Sequence, residues 1–159
     1  MRTNILNFTA FMLILAGIVY SCRKAEVNGN VNSVNITLME TFDPSSRTLQ
    51  LKCLTARNYA YGCYPILFEY NQRSNNINII FKGVREDIPE GMSCPAMEGP
   101  ASAFINLGYL NNGTYRLNLS SGSVRRSGEL IVSPNGYRIK FPNNPNFRFT
   151  NTSLTRTQD

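Results

Sequence analysis

From Val34 onward, apolar residues recur at every second position in short runs, and each run ends in a turn signal. The phase is held by Val34, Ile36 and Leu38, by Leu49, Leu51 and Cys53, and by Ile77, Ile79 and Phe81. It resumes in Ala103, Ile105 and Leu107, in Tyr115, Leu117 and Leu119, in Leu130 and Val132, and in Tyr137, Ile139 and Phe141. Successive side chains of a strand point to opposite faces, so a period of two marks a strand with one buried face. The breaks include Asp43-Pro44-Ser45-Ser46, the polar stretch 71–76, Asn111-Asn112-Gly113, Ser121-Gly122-Ser123 and the hairpin signal Pro134-Asn135-Gly136. No segment sustains a helical period. The pattern predicts an all-β chain, an antiparallel β-sandwich of about 7–9 strands, with a small closed barrel as the alternative. Leu49, Leu51, Ile79, Phe81, Ile105, Leu107, Tyr115, Leu117, Leu130, Val132 and Ile139 are the expected core. Residues 147–149 alternate beside prolines, as an edge strand would.

The amino terminus reads differently. Arg2 precedes an uncharged, mostly apolar run over residues 8–19, which is too short to span a bilayer. Val19-Tyr20-Ser21-Cys22 follows and looks like a loose lipobox, with a small residue before the cysteine that would be acylated. The expected organisation is a lipoprotein signal peptide over 1–21, then lipidated Cys22 with a flexible polar tether to 33. A β-sandwich domain follows over 34–150 and a polar tail over 151–159. This places the protein in a bacterial cell envelope, held by acyl chains such as palmitate on Cys22. Arg23 stands where an inner-membrane retention signal would place Asp, which favours the outer membrane, facing either the periplasm or the surface.

The composition excludes several chemistries. There is no histidine, so Ser-His-Asp and Cys-His catalysis and His-based zinc sites are unavailable. No G-x-S-x-G and no phosphate-binding glycine loop is present. The formal charge of +6 suits an anionic envelope glycan but lacks the dense Lys/Arg clustering of a nucleic-acid binder, so no nucleic acid is expected as partner. No cofactor is implied. Carboxylates remain as a route to glycan hydrolysis, because glycosidases need only two, and Glu86, Asp87, Glu90 and Glu98 lie in the long irregular stretch 83–100. Met92, Cys94 and Met97 are soft donors within six residues and form a conceivable copper set, if Cys94 is reduced.

With Cys22 acylated, three cysteines remain and one is left over. Cys53 continues the Leu49/Leu51 phase and should point into the core as a small hydrophobe. Cys63 and Cys94 are then the expected disulfide, in an oxidising compartment. A Cys53–Cys63 bridge is the rival, if their strands form a hairpin that sets them opposite each other.

The run Leu107-Gly108-Tyr109-Leu110-Asn111-Asn112-Gly113-Thr114-Tyr115-Arg116-Leu117 resembles the turn and strand of an immunoglobulin-like domain. There a tyrosine at the strand start bonds back to upstream backbone. The resemblance gives Tyr115 that corner role and makes Gly113 the relief of the tight turn before it. Together with Cys63, Cys94 and Gly99-Pro100-Ala101, the match over about residues 35–141 is similar to small immunoglobulin-like exported lipoproteins. It implies that fold and an envelope location, and transfers no enzymatic activity. The chain has no Trp to pack on an inter-sheet disulfide, as antibody domains do.

One surface reading follows from strand phase. Arg116 alternates with Tyr115 and Leu117, and Arg138 and Lys140 alternate with Tyr137, Ile139 and Phe141. If these strands share a sheet, the three cations emerge on one wet face, with Arg125 and Arg126 in a nearby loop. The expected function is a non-catalytic, lipid-anchored binding or assembly module. Its partner would be an anionic envelope glycan or another envelope protein.

Overall fold

The structure is a computed structural model that describes residues 27–28, 31–43, 46–87, 93–94 and 96–156. Cys22, Glu90 and Met92, named above, lie outside the described residues. Eleven strands and no helix are present among the described residues. They are β1 (Val27–Asn28), β2 (Val34–Asp43), β3 (Ser46–Tyr59), β4 (Ile66–Arg73), β5 (Asn76–Arg85), β6 (Gly99–Gly108), β7 (Gly113–Ser121), β8 (Val124–Ser133), β9 (Gly136–Lys140), β10 (Phe147–Phe149) and β11 (Ser153–Thr155). Eight of these have five or more residues, as many as the sequence pattern led one to expect. The three extra strands are two or three residues long.

The strands form two sheets packed as a β-sandwich. The larger sheet contains the path β1-β5-β7-β8-β9-β11, with β4 also paired to β5; the smaller is β10-β2-β3-β6. Two pairings, β5 with β7 and β2 with β10, run parallel, so the sandwich is not purely antiparallel. All eleven residues expected in the core are buried. The inner faces meet across contacts such as Phe81 on β5 and Phe147 on β10, whose rings stack with centroids 6.0 Å apart. At one side the sheets are stitched together, because Ser102 N donates to the Tyr64 carbonyl at 3.0 Å.

Strands run past both boundaries drawn from the sequence. Val27 and Asn28, within the expected tether, pair antiparallel with Arg85 and Val84 of β5. Val31 is buried, and its carbonyl accepts a hydrogen bond from Ser121 Oγ at 2.8 Å. At the other end β11, within the expected polar tail, pairs antiparallel with β9. The polar stretch 71–76 contracts to a two-residue turn, since Arg73 and Asn76 are already opposed in the β4–β5 ladder.

The corner and the bridge appear as the sequence led one to expect. Tyr115 Oη donates to the Asn111 carbonyl at 3.0 Å, and Gly113 before it has φ +154°, where a side chain is strained. Cys63 and Cys94 form a disulfide. Cys53 is a free thiol with no exposed surface, and burial pushes its pKa from 9.0 up to about 12.

Candidate functional site

The outer face of the larger sheet gathers most of the cations singled out by phase. In the β4–β5–β7–β8–β9 ladder, Arg73 lies opposite Asn76, Asn76 opposite Arg116, Arg116 opposite Glu129, and Glu129 opposite Lys140. Directly opposed residues point to the same face. This row therefore crosses five strands with a cation at its first, third and fifth positions. At the usual strand spacing, consecutive cations stand about 9–10 Å apart. Arg138 lies one row along, opposite Ile131, and Arg125 lies two rows the other way, opposite Ser120.

Between them runs a chain of neutral polar groups. Asn118 Nδ2 donates to Asn78 Oδ1 at 2.9 Å, and Ser127 Oγ donates to Asn118 Oδ1 at 2.7 Å. These bonds hold the amides in fixed orientations in the middle of a wet face. Two shallow depressions meet at Ser127, and the second contains Asn78 and Asn118 themselves. One, about 520 Å³, is lined by Asn76, Thr114, Arg116 and Glu129 among others; the second, about 550 Å³, is bordered by Lys82, Arg125 and Arg126.

Arg116, Arg138 and Lys140 stand on the outer face, as their strand phase predicts, whereas Arg125 and Arg126 are placed differently. Arg125 and Arg126 sit in β8, not in a loop, and only Arg125 shares the phase of Arg116. Arg126 stands opposite Leu119, which is buried, yet Arg126 is exposed because the sheet ends there; its Nη1 donates to the Arg125 carbonyl at 2.8 Å. Three further charges of the face were missed. Arg73 lies in the polar stretch that reads as a turn, Lys82 stands on β5, and Glu129 sits in the row between Arg116 and Lys140. Lys82 pairs with Glu69 at 3.0 Å, and Lys140 approaches Glu129 at 4.0 Å. Both pairs are exposed, and such pairs contribute little to stability. Among the described residues cations outnumber carboxylates on this face, and its field is positive.

The other candidate chemistries are placed as follows. Glu86 accepts a hydrogen bond from Arg57 Nη2 at 3.3 Å, and Asp87 pairs with Arg85 Nε at 3.0 Å. Both carboxylates are thereby engaged. Cys94 is oxidised in its bridge, so its sulfur is not a thiolate donor, and Met97 projects into solvent with 71% of its surface exposed. No group of three Cys, Asp or Glu side chains disposed to hold a metal occurs among the described residues.

Comparison of the chain with protein-family models, with curated proteins and with solved structures finds no match.

Proposed function

We propose that the protein is a non-catalytic module of the bacterial cell envelope, lipid-anchored through Cys22, that binds an anionic glycan on the outer face of its larger sheet. The observation that carries this reading is the row Arg73–Asn76–Arg116–Glu129–Lys140. Its cations recur at every second strand, an interval suited to a polymer that carries one charge on every second sugar. The fixed amides of Asn78 and Asn118 beside the row offer hydrogen-bonding groups to sugar hydroxyls. The leader-like residues before Cys22, and the resemblance to small immunoglobulin-like lipoproteins, support the envelope location.

Binding to acidic and neutral polysaccharides, measured by calorimetry at two salt concentrations, tests the reading. Acidic polymers should bind, with an affinity that falls as salt rises. Arg116→Glu with Lys140→Glu should abolish that binding while leaving the fold intact by circular dichroism. Equal binding of neutral and acidic polymers, or unchanged binding by the double variant, would sink the proposal.

A second reading, docking of another envelope protein, is favoured by one observation on the smaller sheet. Phe104 is 53% exposed on its outer face, with Lys52 Nζ at 6.0 Å from the ring centroid. Phe104→Ala should leave glycan binding unchanged and weaken only protein capture.

A further inference from the structure

We infer that the end of the sandwich from which the chain leads back to Cys22 is a contact surface for anionic phospholipid headgroups. The inference rests on the acylation of Cys22 proposed above and adds an orientation to it.

The direction of the chain gives the first argument. β1 runs antiparallel to β5, with Val27 opposite Arg85 and Asn28 opposite Val84. Followed backwards from Asn28, the chain therefore leaves past the carboxyl end of β5. Val27 is only five positions beyond Cys22. Fully extended, that length reaches at most about 18 Å, so an acylated Cys22 holds this end of the domain beside the bilayer.

The same end collects other features. Ser121, which is opposite Phe81, leads into the β7–β8 turn at Gly122 and Ser123. The β3–β4 connection brings Tyr61, and the segment entering β6 brings Met97; Gly62 N donates to the Met97 carbonyl at 3.0 Å, which ties the two together. Tyr61 and Tyr59 pack edge-on against buried Tyr64, with centroids 5.6 and 6.2 Å away, and stay half-exposed. Tyrosines with an apolar body and a polar tip suit the headgroup level of a bilayer. Met97 adds exposed apolar surface.

Charge gives the second argument. Arg125, Arg126 and Lys82 border the depression at this end, and neither arginine makes an ion pair among the described residues. Glu86 and Asp87, nearby, are each matched by an arginine, while Glu98 is exposed. The far end differs: the turns at 74–75, 109–112 and 134–135 carry no charged residue.

The absence of tryptophan makes a clean test possible. Met97→Trp at the tether end and Tyr109→Trp at the far end place a single reporter at sites of similar exposure, 71% and 67%. The mature chain 22–159, which retains every described residue, is coupled through Cys22 to a maleimide lipid in vesicles of phosphatidylglycerol and brominated phosphatidylcholine. Cys53 is buried and the other two thiols are bonded, so Cys22 is the reacting group. The indole fluorescence of the Met97→Trp variant should be strongly quenched, and that of the Tyr109→Trp variant should not. Adding Arg125→Glu and Arg126→Glu to the Met97→Trp variant should relieve its quenching at least several-fold, given that each basic residue near an anionic surface adds to its attraction. Equal quenching at both sites, or none at position 97, would overturn the orientation. Acylation itself is read separately, by fatty-acid labelling of the full chain and of Cys22→Ala. Label retained on the alanine variant would refute the anchor without touching the vesicle result.

Discussion

On β7, Tyr115, Leu117 and Leu119 point inward and are buried, while Thr114 and Arg116 point outward into water and Asn118, on the same face, donates to Asn78 of β5. The same division continues on β8, where Leu130 and Val132 are buried and Glu129 is exposed. One strand thus belongs to two different surfaces, one residue out of step. The inner surface answers to volume and burial. The outer surface answers to charge and to the position of hydrogen-bonding groups. A slip of register by a single residue would exchange them, which is why burial of one face fixes the placement of the other.

The contrast can be broken most sharply at the inner face. Leu117 has no exposed surface, and Leu117→Ala should cost about 2–5 kcal/mol in a denaturant titration. A loss below about 1 kcal/mol would mean that the phase of β7 is wrong. Alkaline pH probes the inner face of the smaller sheet. The Cys53 thiol is raised from 9.0 to about 12, so the folded state disfavours its ionisation. Its contribution is fully present below pH 9 and is lost as pH rises towards 12, a loss on the order of 1 kcal/mol by pH 10. Tyrosines ionise in the same range, so the measurement is the difference between the wild type and Cys53→Ala. The alanine variant should show the shallower decline, and parallel curves would place Cys53 in water.

Smaller effects sharpen the boundary between the faces. Tyr115→Phe keeps the buried ring and removes only the bond to the Asn111 carbonyl, and should cost about 1 kcal/mol by thermal or chemical unfolding. A neutral result would make the corner bond dispensable. Arg116→Ala, next to Leu117, should change stability by less than about 0.5 kcal/mol because its face is wet. If its cost matched that of Leu117→Ala, the two faces would not be distinct.

Much of the sandwich was legible because burial imposes its own period. Ile79, Phe81, Ile105 and Leu107 announce their faces through their neighbours, and the proline and glycine at 134 and 136 announce a hairpin. Asparagine misled the reading of strand lengths. The polar stretch 71–76 reads as a turn because Asn is common in turns. In the structure Asn71, Asn76 and Asn78 stand in ladders, where the outer face of a sheet accepts any polar side chain. Val27 and Asn28 likewise read as tether, because a two-residue strand has too few positions to show a period.

The candidate face divides along the same line. The alternation of Arg116 with Tyr115 and Leu117, and of Lys140 with Ile139 and Phe141, is local information, and it determined that these cations point outward. The phase of Cys53 pointed it into the core and so favoured Cys63 and Cys94 as the bridge. What the sequence alone could not decide is who stands beside whom. The parallel pairing of β5 with β7 joins segments whose opposed residues, such as Asn76 and Arg116, are far apart in the chain. No residue in either strand encodes that partnership by its own type. It comes from packing two apolar faces against a second sheet, and it alone turned scattered cations into a row. It also set Val27 beside Arg85, and so decided which end of the sandwich lies next to the anchor.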